Sequence, residues 1–204
     1  MNKRWLIAAA ALAAITTAQA QDSGNWIVRA RVVNLDSANK DDTGAGLSVN
    51  NKVIPEVDFT YFFSPNLAAE LILTVPQKHT VHSSVLNADA GTFKHLPPTL
   101  TVQYHFTGLG AFRPYLGAGL NYTKIMSVHL EPASAALGAN VDLKRNSWGL
   151  ALQAGVDIPL GGGWLLNADV KKVQIGTKVL ANEVSAGKFK VDPVLFGIGV
   201  GRRF

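Results

Sequence analysis

From residue 26 the chain alternates. Trp26, Val28, Ala30 and Val32 fall on one face of an extended segment and Arg29 and Arg31 on the other, the period of two that marks a β-strand. Seven further segments repeat the pattern, at residues 54–63, 67–75, 98–106, 114–124, 146–158, 164–173 and 193–204. In the second, Val57, Phe59 and Tyr61 oppose Glu56, Asp58 and Thr60. In the fourth, Leu100, Val102, Tyr104 and Phe106 oppose Thr99, Thr101, Gln103 and His105. In the last, Val194, Phe196, Ile198 and Val200 oppose Gly197, Gly199, Gly201 and Arg203. The pattern predicts eight strands, each apolar on one side and polar or small on the other.

A soluble β-sandwich alternates in the same way, so period alone does not decide. Three features favour a barrel in a membrane. Connectors are by turns long (35–53, 77–97, 126–145, 176–192) and short (64–66, 107–113, 159–163), as in barrels with short periplasmic turns and long outer loops. Aromatic residues gather at strand ends: Trp26, Tyr61, Phe63, Tyr104, Phe106, Tyr122, Trp148 and Trp164. The last strand ends on Phe204. The expected fold is all-β, an eight-stranded antiparallel up-and-down transmembrane β-barrel, whose closure pairs every backbone N–H and C=O away from lipid.

Before the first strand, Lys3 and Arg4 precede an apolar stretch at 5–15 and a small-x-small ending at Thr17-Ala18-Gln19-Ala20. This is the layout of a cleaved export signal, so residues 1–20 are expected to be a signal peptide and 21–204 the barrel. Its removal takes Lys3 and Arg4 but no acid, lowering the formal net charge from +5 to +3. With no Lys/Arg cluster, that leaves no electrostatic footprint for nucleic acid. The chain has no Cys, hence no disulfide frame, thiolate metal site or thiol nucleophile.

Several blocks carry a resemblance. His95-Leu96-Pro97-Pro98-Thr99-Leu100 and the run Phe112-Arg113-Pro114-Tyr115-Leu116-Gly117-Ala118-Gly119-Leu120-Asn121-Tyr122-Thr123 resemble the outer-membrane protein W family. Ser147-Trp148-Gly149, Gln153-Ala154-Gly155-Val156-Asp157, Val191-Asp192-Pro193 and Gly201-Arg202-Arg203-Phe204 extend the likeness over essentially the whole mature chain. The resemblance implies a barrel in the cell outer membrane through which small hydrophobic molecules pass, with no cofactor. It also implies contact with outer-membrane lipid and lipopolysaccharide, and a barrel-assembly machinery that reads Phe204 as an assembly signal. Two places depart: members often carry Tyr at the position of Arg202 and an aromatic pair at that of Lys171 and Lys172. By parity Lys172 and Arg202 face lipid, where a cation costs about 2–4 kcal/mol at the midplane and about 0–1 near an interface. Lys172 is therefore expected at the outer rim, reaching lipopolysaccharide phosphates, and Arg202 at the opposite interface.

Counting along each strand from its periplasmic end assigns depth inside. The lower lumen collects Arg29, Asp58, Glu70, Gln103, His105, Tyr115, Asp157, Asn167, Asp169 and Arg203. The upper lumen holds Val33, Ile72, Thr74, Thr99, Thr101, Asn121, Thr123, Val173 and Leu195. An eight-stranded interior is just wide enough to be filled by side chains or to hold one small ligand. The polar floor is expected at Arg29, Asp58, Asp157 and Arg203, and a lumen constriction at Ile72, Glu70, Lys171, Asp169 and Leu195, with Lys171 paired to Glu70 or Asp169. Two readings follow. Either a plugged floor lies beneath an apolar vestibule from which solutes leave sideways into lipid, or the charges simply fill the core of a small barrel.

No nucleophile motif such as GxSxG is present, so no enzymatic activity is expected. His79, His82, His95 and His129 fall in outer connectors and are expected to be solvated; His79 and His82 lack carboxylates at ligand spacing, so no metal is expected. Two functions stand: a passive conduit for small hydrophobic molecules with lateral exit, and a closed structural barrel whose outer loops form a surface receptor or adhesion site.

Overall fold

The computed structural model describes residues 24–204; the expected export signal at 1–20 lies outside the described residues. Eight antiparallel strands close into a ring: β1 (Trp26–Asp36), β4 (Lys52–Phe62), β5 (Leu67–Thr74), β8 (Thr99–His105), β9 (Arg113–His129), β11 (Asn146–Gly161), β12 (Trp164–Val173) and β15 (Val194–Arg203). β1 meets β15 from Ile27↔Arg203 to Asp36↔Val194, and β9 meets β11 from Arg113↔Asp157 to Lys124↔Asn146, so among the described residues the ring has no open edge.

The alternation read from the sequence sorts the two faces. Along β1, Ile27, Arg29, Arg31, Val33 and Leu35 are buried. The outer faces stay bare: Leu100, Leu120, Leu152, Phe196 and Ile198 are all more than half exposed, which only a surrounding apolar solvent makes favourable. Aromatic rings band both ends. Trp26 packs on Tyr61 at 4.9 Å and Tyr104 on Phe106 at 5.2 Å near the short turns, and Tyr122 on Trp148 at 4.9 Å near the far rim. Close approach inside the ring requires glycine, at Gly155 and Gly197 among other positions. A Cβ on Gly155 would lie 2.4 Å from the Tyr115 ring, and one on Gly197 2.5 Å from Asp169 Oδ1, so glycine leaves the space those side chains occupy.

The long connectors differ from expectation: they are folded rather than loop. β3 (Leu47–Val49), β6 (Gln77–Ser83) and β7 (Ala88–Leu96) extend the sheet outward along the upper part of β9. β2 (Lys40–Asp41), β10 (Val141–Leu143), β13 (Gly176–Ala181) and β14 (Val184–Lys190) form a second sheet, with the short helix α1 (Glu131–Leu137) beside them. Their inner faces supply Val81, Phe93, Leu130, Leu143, Val179 and Phe189 to one apolar core, continuous with Val33, Leu35, Ile54 and Ile125 at the barrel rim. That burial is what orders segments whose own alternation is weak. The eight membrane-spanning strands thus carry an outer module built from the four long connectors.

Candidate functional site

Along the axis, from the short-turn end outward, the interior has four levels. At the bottom is a mouth of about 550 Å³ bordered by Ile27, Phe62, His105, Phe112 and Arg203. Arg203 donates from Nε to the Gly24 carbonyl at 2.8 Å and lies 4.4 Å over the Phe62 ring. It was expected within the polar floor; its place is below it, because the last rung of β15 reaches past the plane of the charge cluster.

The second level is a plug. Arg29 donates to Asp157 through two bonds, Nε to Oδ1 at 3.1 Å and Nη2 to Oδ2 at 2.6 Å, and through Nη1 to Asp58 at 2.8 Å and Thr60 at 2.7 Å. Arg31 donates from Nε to Asp58 at 3.0 Å and from Nη2 to Glu70 at 2.7 Å, and its Nη1 pairs with Asp169. Lys171 Nζ donates to Glu56 at 2.5 Å and Asp169 at 2.9 Å. Gln153, Gln103 and Asn167 fill remaining positions, bonding Asp169, Gln153 and Asp157. All these charged groups are under 8% exposed.

Geometry this good is what makes buried charge tolerable. It also spans the lumen: β1 reaches β4, β5, β11 and β12 through two guanidiniums. Of the expected floor, Arg29, Asp58 and Asp157 come together here, joined by Glu70, Asp169 and Lys171 from the expected constriction. The expected choice of Glu70 or Asp169 as partner of Lys171 is settled for Asp169; Glu70 is held by Arg31, and the second partner of Lys171 is Glu56. Arg31, Glu56 and Gln153 are the central residues that counting from the periplasmic end left out. Parity was the available signal, since Arg31 follows Arg29 by two and Glu56 precedes Asp58 by two.

The third level is a gap of about 30 Å³ directly on the plug, bordered by Lys171, Ile72, Leu195, Thr99 and Val173. Ile72, Lys171 and Leu195 are thus brought to one height. The fourth level, in the outer module, is a cavity of about 290 Å³ walled almost wholly by apolar side chains, among them Val81, Phe93, Leu130, Leu143, Val179 and Phe189.

The histidines divide. His82 and His129 are exposed and pair with Asp89 and Glu131. His79 and His95, expected to be solvated, are both fully buried on the inner face of the β6–β7 hairpin. No group of three or more His, Cys, Asp or Glu able to hold a metal ion occurs among the described residues. On the lipid side Lys172 reaches the Asp192 carbonyl at the outer rim, and Arg202 lies 5.6 Å over the Trp164 ring at the opposite end. Both are where the interfacial cost is low. Phe204 exchanges two 3.0 Å backbone bonds with Trp26.

The chain as a whole is similar to known proteins. The chain is 40% identical over 187 residues to the uncharacterized outer-membrane protein y4mB of Sinorhizobium fredii, covering 88% of this chain and 80% of that one. It is 34% identical to outer membrane protein W of Vibrio cholerae over 99% of this chain and all of the other. The crystal structure of the outer membrane protein OprG from Pseudomonas aeruginosa superposes with a TM-score of 0.76 at 30% identity, over 89% of this chain and 96% of that one. A sequence model of the OmpW family matches residues 22–204. The chain belongs to the OmpW family, and its barrel is an outer-membrane barrel.

Proposed function

We propose that this barrel is a passive conduit that takes small hydrophobic molecules from outside, holds them above the plug and releases them sideways into the membrane, without enzymatic chemistry or an energy source. The observation that carries the reading is the stacking of levels: an apolar cavity of about 290 Å³ stands outside a lumen closed by paired charge. An apolar molecule gains about 25 cal/mol for each Å² it removes from water in such a cavity. It gains nothing in the plug, where displacing one partner of a buried pair costs about 3–5 kcal/mol.

Sideways release has support in the wall. The β5–β8 ladder has its outermost pair at Ile72↔Thr99, and above it lie Pro76, Pro97 and Pro98, which carry no amide hydrogen to continue it. Ile72, Thr74, Pro97 and Thr99 border the small gap, so the gap abuts the place where the β5–β8 ladder ends. Lipopolysaccharide around the rim and an assembly machinery that reads Phe204 belong to the same proposal.

The test is uptake of naphthalene into vesicles with a lipopolysaccharide outer leaflet, because a plain phospholipid bilayer passes apolar solutes unaided. Vesicles carrying the protein are expected to fill faster than protein-free ones. Equal rates would favour the closed barrel whose outer module acts as a surface receptor.

A further inference from the structure

On the inner face of the β6–β7 hairpin the residues run in order toward the membrane. Ser83, Val81, His79 and Gln77 descend one strand; Ala90, Phe93 and His95, followed by Pro97, descend the other. Ser83, Val81, Ala90 and Phe93 border the upper cavity and Pro97 borders the lower gap. His79 and His95 therefore lie between the two. Their rings stack at 4.9 Å and 20°, and both residues are 0% exposed.

His79 Nδ1 lies 3.1 Å from the Asn50 carbonyl. A carbonyl only accepts, so Nδ1 carries the proton and Nε2 is a bare acceptor. That Nε2, and both nitrogens of His95, have no hydrogen-bond partner in the protein. A neutral imidazole has one N–H and one lone pair, so the pair presents an unused acceptor on His79 and an unused donor and acceptor on His95. Leaving such groups unpaired inside a protein costs about 1–3 kcal/mol each. Between the apolar upper cavity and the gap on the plug, the hairpin thus holds one buried polar step.

We propose that the His79–His95 pair is a binding station for the hydroxyl of an otherwise apolar solute, an alcohol or phenol, whose O–H donates to His79 Nε2 while its oxygen accepts from the His95 N–H. The proposal rests on the conduit reading and narrows its substrate class. A hydroxyl is the smallest group that both donates and accepts, as this pair requires, whereas an ionised carboxylate only accepts and leaves His79 Nε2 unpaired. Burial supports the neutral form, pushing His79 down to about 4 and His95 to about 3. A site built to bond a hydroxyl discriminates strongly against the analogue that lacks it, because its own polar groups are then left unpaired.

The experiment uses the full chain in lipid nanodiscs, titrated with 1-naphthol and with naphthalene, each corrected for partition into empty nanodiscs. The expected result is 1-naphthol bound at least about tenfold tighter than naphthalene, with the advantage cut to about twofold in His79→Phe and His95→Phe, and naphthalene affinity unchanged. In wild type, 1-naphthol should also shift the ¹⁵N resonance of His79 Nε2. Equal corrected affinities in wild type, or an advantage that survives both substitutions, would overturn the proposal. So would loss of the advantage on adding EDTA, which would place a metal on the imidazoles. Should the variants lose naphthalene as well, the wild-type ¹⁵N measurement decides, and no shift at saturation overturns it. Hydroxyl-dependent binding without faster naphthalene uptake into the vesicles would sink the conduit reading and leave the station standing.

Discussion

Arg29 and Asp157, separated by 128 residues in sequence, face each other across the lumen and are joined by two parallel bonds of 3.1 and 2.6 Å. The pair ties β1 to the opposite wall at β11 and closes the lumen at that height. Arg29→Met leaves the buried Asp157 without its guanidinium and Asp58 with Arg31 alone. It should therefore lower unfolding free energy by about 3–5 kcal/mol, read from reversible urea unfolding in lipid. Asp157→Asn, which keeps an acceptor, should cost less. Equal and small losses for both would mean that the pair does not hold the barrel.

The buried histidines make the outer module acid-sensitive. His79 faces the Asn50 carbonyl, His95 and Lys52, and His95 faces His79 and Lys52; burial above all lowers both, to about 4 and about 3. The unfolded hairpin binds protons near 6.5, ahead of the folded one, so stability is full above about pH 6.5 and falls as the pH drops toward 4. Each group adds a slope of about 1.4 kcal/mol per pH unit within its window. Amide-exchange protection of β6 and β7 should decline over that range while the barrel strands hold, and His79→Phe with His95→Phe should flatten the profile. Protection independent of pH in wild type would contradict this.

The strands of the barrel were legible because lipid on one side and a packed lumen on the other impose strict period two; β12 has the expected bounds to the residue. The outer module was not, because β6 turns Gln77, His79 and Ser83 inward together with Val81, so polar residues occupy both faces and the alternation vanishes. Parity likewise put Glu56 and Arg31 on the inner face but could not set their height. Neighbouring strands in a barrel are staggered: the ladder runs from Glu56 through Arg31 and Gly199 to Asn167, yet Glu56 pairs across the lumen with Lys171, further along β12. Pairing across a lumen needs that stagger, and no single strand contains it.

Orientation is open to labelling. Ala136 on α1 and Lys188 on β14 are exposed in the outer module, and Thr107 is exposed in a short turn at the other end. Single cysteines at Ala136 and Lys188 should react with a membrane-impermeant maleimide on intact cells, and one at Thr107 only after lysis. Reaction at Thr107 in intact cells would invert the topology.

Deleting Phe204 removes both backbone bonds to Trp26 and a ring from the lower aromatic band. Export should persist while the amount in the outer membrane falls, with the chain degraded in the periplasm; immunoblots of fractionated cells would show it. Normal outer-membrane levels would remove Phe204 from assembly.

The central claim, that solutes travel above the plug through the gap at Ile72, is tested most directly by naphthalene uptake into lipopolysaccharide-leaflet vesicles carrying Ile72→Asp. The substitution sets a carboxylate where Ile72 borders the gap beside Lys171 and Leu195, and an apolar solute would have to strip it of its hydration. At matched protein abundance and preserved barrel fold, uptake should drop toward the protein-free rate. Uptake equal to wild type would contradict passage at this height.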